Sequence, residues 1–96
     1  MTKRQQLAIH RNSIQAIAAQ YGATNIRIFG SVARGDDRLD SDIDFLIDLD
    51  REWSLLDRIS LKQDLEDLLG SPVDIATSQN LRPLFKAKIL KDAIAI

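Results

Sequence analysis

Apolar residues near the start of the chain recur at helical spacing. Leu7, Ile14, Ile17, Ala18 and Tyr21 stand three, four and seven apart, so residues 4 to 21 predict one amphipathic helix stopped by Gly22. Asn25 to Phe29 alternates as a strand and runs into Gly30-Ser31, after which Val32-Ala33-Arg34 predicts a short helical turn ending at Gly35. Residues 36 to 41 are polar apart from Leu39 and read as a loop. Asp42 to Leu49 alternates again, with Ile43, Phe45, Ile47 and Leu49 on one face, which is the core face. Ser54 and Asp57 form a capping-box pattern ahead of Leu55, Leu56, Ile59, Leu65, Leu68 and Leu69, a second long helix closed by Gly70 and Pro72. Val73 to Thr77 predicts a short strand. Asn80 is placed to cap a last helix with Pro83 in its first turn, and residues 93 to 96 are either a terminal strand or a frayed end. Helices alternate with strands, so the expected architecture is α/β: a small mixed sheet of three or four strands flanked by helices, with residues 42 to 49 at its centre.

At 96 residues, 45% of them hydrophobic, the chain suits one domain, residues 1–96, with one core and no room for a separate acceptor lobe. A large acceptor is therefore expected to come from a partner. Cysteine is absent, which removes disulfides and thiolate metal sites and agrees with a cytoplasmic location. The first dozen residues lack the unbroken apolar run of a signal peptide, and no stretch reaches transmembrane length, so no membrane partner is expected. The net charge of -1 hides a segregation. Residues 1 to 35 sum to +5, residues 36 to 74 to -9 and residues 75 to 96 to +3. The acidic middle block would repel a phosphate backbone, so direct nucleic-acid binding is not expected without cations. The bases of the two flanks read as solvated helix faces.

Within the acidic block, Asp42 and Asp44 stand at i and i+2 of a strand, so both project from the face opposite the apolar one, about 7 Å apart. Asp is disfavoured in strands, and two such anions repel unless a cation lies between them. Magnesium suits them, because it takes carboxylate and phosphate oxygens. Asp74, between Val73 and Ile75 in another strand, can stand beside them, and three carboxylates on neighbouring strands suit a two-metal site for in-line phosphoryl chemistry. Gly30-Ser31 ends a strand and opens a helical turn, where bare N–H groups favour an anion and Ser31 adds a hydroxyl. Arg34, or Arg38 in the loop, can add positive charge toward a triphosphate. Asp40, Asp42 and Asp44 imitate the start of a calcium-binding EF-hand loop, but Phe45 occupies its glycine position and Arg51 its terminal glutamate position. No P-loop is present, and His10 and Trp53 read as boundary and packing residues.

Gly30-Ser31, ten intervening residues and Asp42-Ile43-Asp44, followed by Asp74, resemble the signature of the DNA polymerase beta-like nucleotidyltransferase superfamily. More narrowly, residues 30 to 35 and 41 to 47, Pro72-Val73-Asp74-Ile75 and Leu81-Arg82-Pro83 resemble the minimal nucleotidyltransferase antitoxins that pair with HEPN-domain toxins. The resemblance covers nearly the whole chain. It implies the nucleotidyltransferase fold and transfer of AMP from ATP to a hydroxyl, in that family a tyrosine of the partner toxin, with two magnesium ions. It further implies that Gly30 and Ser31 hold the triphosphate, that Asp42 and Asp44 bind both metals, and that Asp74 completes the acceptor side as ligand or base. Two other readings remain on the sequence: an antitoxin that neutralises by occupancy without catalysis, and a small-molecule nucleotidyltransferase.

Overall fold

The computed structural model describes residues 2–96. In chain order the elements are α1 (Lys3–Ile9), α2 (Arg11–Gln20), β1 (Ala23–Phe29), α3 (Gly30–Arg34), β2 (Ile43–Leu49), α4 (Leu55–Leu69), β3 (Val73–Thr77), a 3-10 turn (Ser78–Asn80), α5 (Pro83–Asp92) and β4 (Ile94–Ala95). The strands form one sheet in the order β3-β2-β1-β4. β1 is antiparallel to both neighbours, and β2 and β3 run parallel, joined by the α4 crossover, so the sheet is mixed as expected. β2 lies inside the sheet.

The core forms where the period-2 face of β2 meets the helices. Ile43, Phe45 and Ile47 are buried there against Leu7 of α1, Ile14 and Ala18 of α2, Leu61 and Leu65 of α4, and Val73 and Ile75 of β3. In β1 a bulge between Thr24 and Arg27, with Asn25 at φ +49, lets Ala23 and Ile26, three apart, both reach that core.

Three details differ from the sequence expectation, and one alternative it left open is decided. The single helix over residues 4 to 21 is two, broken at His10 (φ -94°, ψ 10°). The break leaves Ile9 exposed while Leu7 and Ile14 are both buried against the sheet. A Thr2–Gln5 capping box, with N–H···O distances of 3.0 and 2.7 Å, starts α1. Asn80 does not cap the last helix. Pro83 holds the preceding residue extended (Arg82, φ -62°, ψ 143°), so α5 begins at Pro83 itself and Asn80 ends the 3-10 turn. Residues 94 and 95 are a strand rather than a frayed end, with Ile94 and Ala95 opposite Ile28 and Arg27. Finally, Asp42 lies just ahead of β2 rather than inside it, and the acidic face of β2 carries a fully buried Leu46 that belongs outside the main core.

Candidate active site

β2 brings Asp44 between two neighbours. In the parallel ladder Asp44 is directly opposite Asp74 of β3, and in the antiparallel ladder it is opposite Phe29, the last residue of β1. The chain turns into α3 immediately after Phe29, which carries Gly30 onto the Asp44 carboxylate. Gly30 has φ +73°, and a Cβ built there would collide with Oδ2 of Asp44. Only glycine meets both conditions without strain. Ser31 follows, half-buried, and its carbonyl accepts N–H groups of Gly35 and Asp36 at 2.9 and 3.0 Å, which closes the turn. On the other side, the Ile43 N–H donates to the Pro72 carbonyl at 2.9 Å and keeps the start of β2 beside the start of β3.

The structure therefore gathers Gly30, Asp42, Asp44 and Asp74 at one end of the sheet, Asp42 and Asp74 being exposed and Asp44 half-buried. Burial, then the negative charge of Asp74, then that of Asp42 push the Asp44 carboxyl up to about 6, and the positive charge of Arg34 only partly opposes them. Arg34 thus faces the site electrically, but its side chain is held by others. Its Nε donates to Asp36 at 3.2 Å and its Nη1 to Asp92, at the end of α5, at 2.9 Å. Arg38, the alternative cation, lies exposed in the loop. Its backbone N–H donates to Ser41 Oγ at 2.8 Å and its carbonyl accepts Lys3 Nζ at 2.7 Å.

A divalent cation suits these groups. The donors are hard carboxylate oxygens, and the like-charge crowding that raises Asp44 is what a dication would relieve. Among the described residues no three acidic or imidazole side chains already converge as a closed cage. The three carboxylates expected to share a metal site are therefore not drawn into one cluster, although magnesium needs only one or two carboxylates when phosphate oxygens and water complete its shell. The carboxylates form a shelf open to solvent, since Asp42 and Asp74 are exposed. Two concavities elsewhere, of about 460 Å³ near Trp53 and Asn80 and about 620 Å³ near Lys3 and Arg38, include none of them.

Two features of the molecule have no local sequence signal. Asp92 meets Arg34 across 58 residues, a contact that only the packing of α5 beside α3 creates. Further along β2, Asp48 accepts from Arg27 Nη2 at 2.8 Å, from Asn25 Nδ2 at 2.9 Å and from the Ser78 hydroxyl. The Ser78 and Asn25 hydrogen bonds, helped by the Arg27 charge, hold the Asp48 carboxyl below its usual range.

Known proteins resemble this chain in sequence and in fold. The family model described as the nucleotidyltransferase domain matches residues 10–96. The protein adenylyltransferase MntA of Thermococcus cleftensis is 32% identical over 90 residues, covering 94% of this chain and 88% of the relative. A solved structure described as a candidate minimal nucleotidyltransferase is 40% identical, with a TM-score of 0.86 and coverage of 100% of this chain and 97% of the other. A second, a tri-AMPylated Shewanella oneidensis HEPN toxin in complex with MNT antitoxin, is 19% identical with a TM-score of 0.71, covering 92% of this chain and 69% of that one, and shares the fold. With the family model spanning nearly all of its sheet and helices, the chain belongs to the nucleotidyltransferase domain family, whose fold it carries in a small, mixed four-stranded form.

Proposed function

We propose that this chain is a protein adenylyltransferase and antitoxin, acting as one minimal nucleotidyltransferase domain over residues 1–96. It transfers AMP from ATP to a tyrosine hydroxyl of a HEPN toxin with which it pairs in the cytoplasm. The similarity to a protein adenylyltransferase and to a toxin–antitoxin complex supports the reaction class and the partner. The crowding of Asp42 and Asp74 around a half-buried Asp44, under a glycine that no other residue can replace without strain, is the observation that supports it most.

In this reading Gly30 lets the backbone approach the triphosphate, Ser31 donates a hydroxyl hydrogen bond to it, and Arg34 supplies positive charge at its edge. Asp42 and Asp44 would hold two magnesium ions, with Asp74 on the acceptor side. Magnesium bound there would neutralise phosphate charge and lower the pKa of the attacking hydroxyl. The acceptor oxygen attacks the α-phosphorus as the bond from that phosphorus to the α–β bridging oxygen breaks. Pyrophosphate leaves, and Asp74 takes the hydroxyl proton. An open shelf cannot orient an acceptor by itself, so specificity resides in docking of the partner. Neither a membrane nor a nucleic acid is required, and no helix among the described residues is long and apolar enough to cross a membrane.

Incubation of the chain with ATP carrying α-phosphate label and with the toxin of its own module tests this reading. Label should enter the toxin with magnesium, fail to enter when chelator is present from the start and enter when magnesium is restored, and peptide mapping should place it on tyrosine. A toxin that recovers full RNase activity once the chain is removed, with no label, would show inhibition by occupancy instead.

A further inference from the structure

Arg34 is held from two sides. Nε donates to Asp36, two residues along, and Nη1 donates to Asp92 at the end of α5. No partner is found for Nη2 among the described residues. Asp92 is out of place by local rules. The last turn of a helix, where unpaired carbonyls carry partial negative charge, disfavours a carboxylate, and α5 has Lys91 beside it as the favoured type. The α5 end is already fixed by the backbone, since the Ala93 N–H donates to the Ile89 carbonyl at 3.0 Å and Ile94 pairs with Ile28. The Asp92 side chain is 28% exposed against 47% for Arg34, so the pair sits at the surface, where an ion pair adds little to stability. A residue that breaks a local preference and contributes little to folding acquires its meaning from its partner.

We propose that Asp92 is a positioning residue that holds the Arg34 guanidinium at the rim of the carboxylate shelf, leaving Nη2 to meet the triphosphate. The inference rests on the reading of Arg34 as a nucleotide contact. Arginine spends many rotamers when free, and an anchored fork loses less freedom on meeting phosphate. Tethering by α5 also joins the last helix of the chain to the nucleotide site.

The test is calorimetric titration of the full chain with magnesium and a non-hydrolysable ATP analogue, alongside thermal melting. Asp92→Ala should raise Kd about two- to tenfold, the factor expected from freeing one rotamer-rich side chain, with little change in Tm. Asp92→Glu, which keeps the anchoring charge, should recover most of that loss. Arg34→Ala should raise Kd further, and adding Asp92→Ala to it should change nothing more. An equal effect of Asp92→Ala in both backgrounds, or no effect in either, would overturn the positioning role while leaving Arg34 as a nucleotide contact. An Arg34→Ala protein that binds as wild type would instead remove the Arg34 reading itself, and the inference with it.

Discussion

Asp44 and Asp48 lie on one strand and one face, four residues apart, yet the same side chain has opposite electrical fates. Asp48 is surrounded by donors from β1 and from the turn after β3, with Arg27, Asn25 and Ser78 all bound to it, and its carboxyl is held below the usual range. Asp44 is given burial and two further anions, and its carboxyl is pushed up to about 6. A carboxylate satisfied by the protein's own donors ties strands together. One left crowded is short of positive charge, which is why the proposed reading puts the cation and the phosphate there. Leu46, fully buried between them, separates the two environments.

The largest expected effect breaks the comparison at its active end. Asp44→Asn should lower AMP transfer by about three orders of magnitude, the scale of removing a group that stabilises transition-state charge, while Tm at pH 7 stays level or rises as repulsion is relieved. Asp48→Asn should do the reverse, leaving transfer within about threefold and costing about 1 kcal/mol in denaturant unfolding, because its hydrogen bonds are partly solvent-screened.

Gly30→Ala should come next. It forces an L side chain into positive φ at about 1 to 2 kcal/mol and drives its Cβ into the Asp44 carboxylate, so both stability and transfer should fall. Gly35→Ala, at φ +81° with open space around it, should lose only the conformational part. Transfer assays and melting curves on the two variants separate collision from strain.

The two serines sharpen the same contrast without disturbing the backbone. Ser31→Ala should weaken binding of magnesium and an ATP analogue by about 1.5 to 3 kcal/mol, the cost of one hydrogen bond to a charged group, with no loss of Tm. Ser78→Ala should lower Tm slightly and leave nucleotide affinity unchanged, since Ser78 serves Asp48.

The smallest effect is in pH dependence. A carboxyl raised in the folded state binds its proton more tightly there than in the unfolded chain, so Asp44 favours folding at low pH and costs stability as pH rises from about 4 to about 6. Asp44→Asn should therefore gain on the wild type across that window, by about 1 kcal/mol after solvent screening, and converge with it below pH 4. Asp48, lowered in the fold, contributes stability above its unfolded value and loses it as pH falls through its folded one. Asp48→Asn should accordingly approach the wild type in acid. Urea titrations across pH 3.5 to 7 would show whether the two differences run in opposite directions.

The carboxylates, the glycine turn and the strands that carry them were legible because each is local. Alternation every two residues names the buried face of β2 by itself, and the i, i+2 spacing of Asp42 and Asp44 survives even though the ladder begins one residue later, at Ile43. What depends on distant packing was not. Nothing near His10 in sequence announces the break in the first helix, and nothing near Arg34 announces Asp92. Asp48 has the same strand pattern as Asp44, and only the donors that β1 and Ser78 bring to it distinguish the two. Asn80 had the right chemistry for a cap, but the backbone constraint ahead of Pro83 moved the helix start beyond its reach.

The central claim is that Asp44, and not Asp48, belongs to the machinery of AMP transfer to a partner. Its most direct test is the intact-mass spectrum of the toxin after incubation with ATP, magnesium and the wild-type, Asp44→Asn or Asp48→Asn chain. The account predicts one or more added AMP masses with the wild type and with Asp48→Asn, and none with Asp44→Asn. Equal AMP addition by the Asp44→Asn chain, or an unmodified toxin with the wild type, would contradict it.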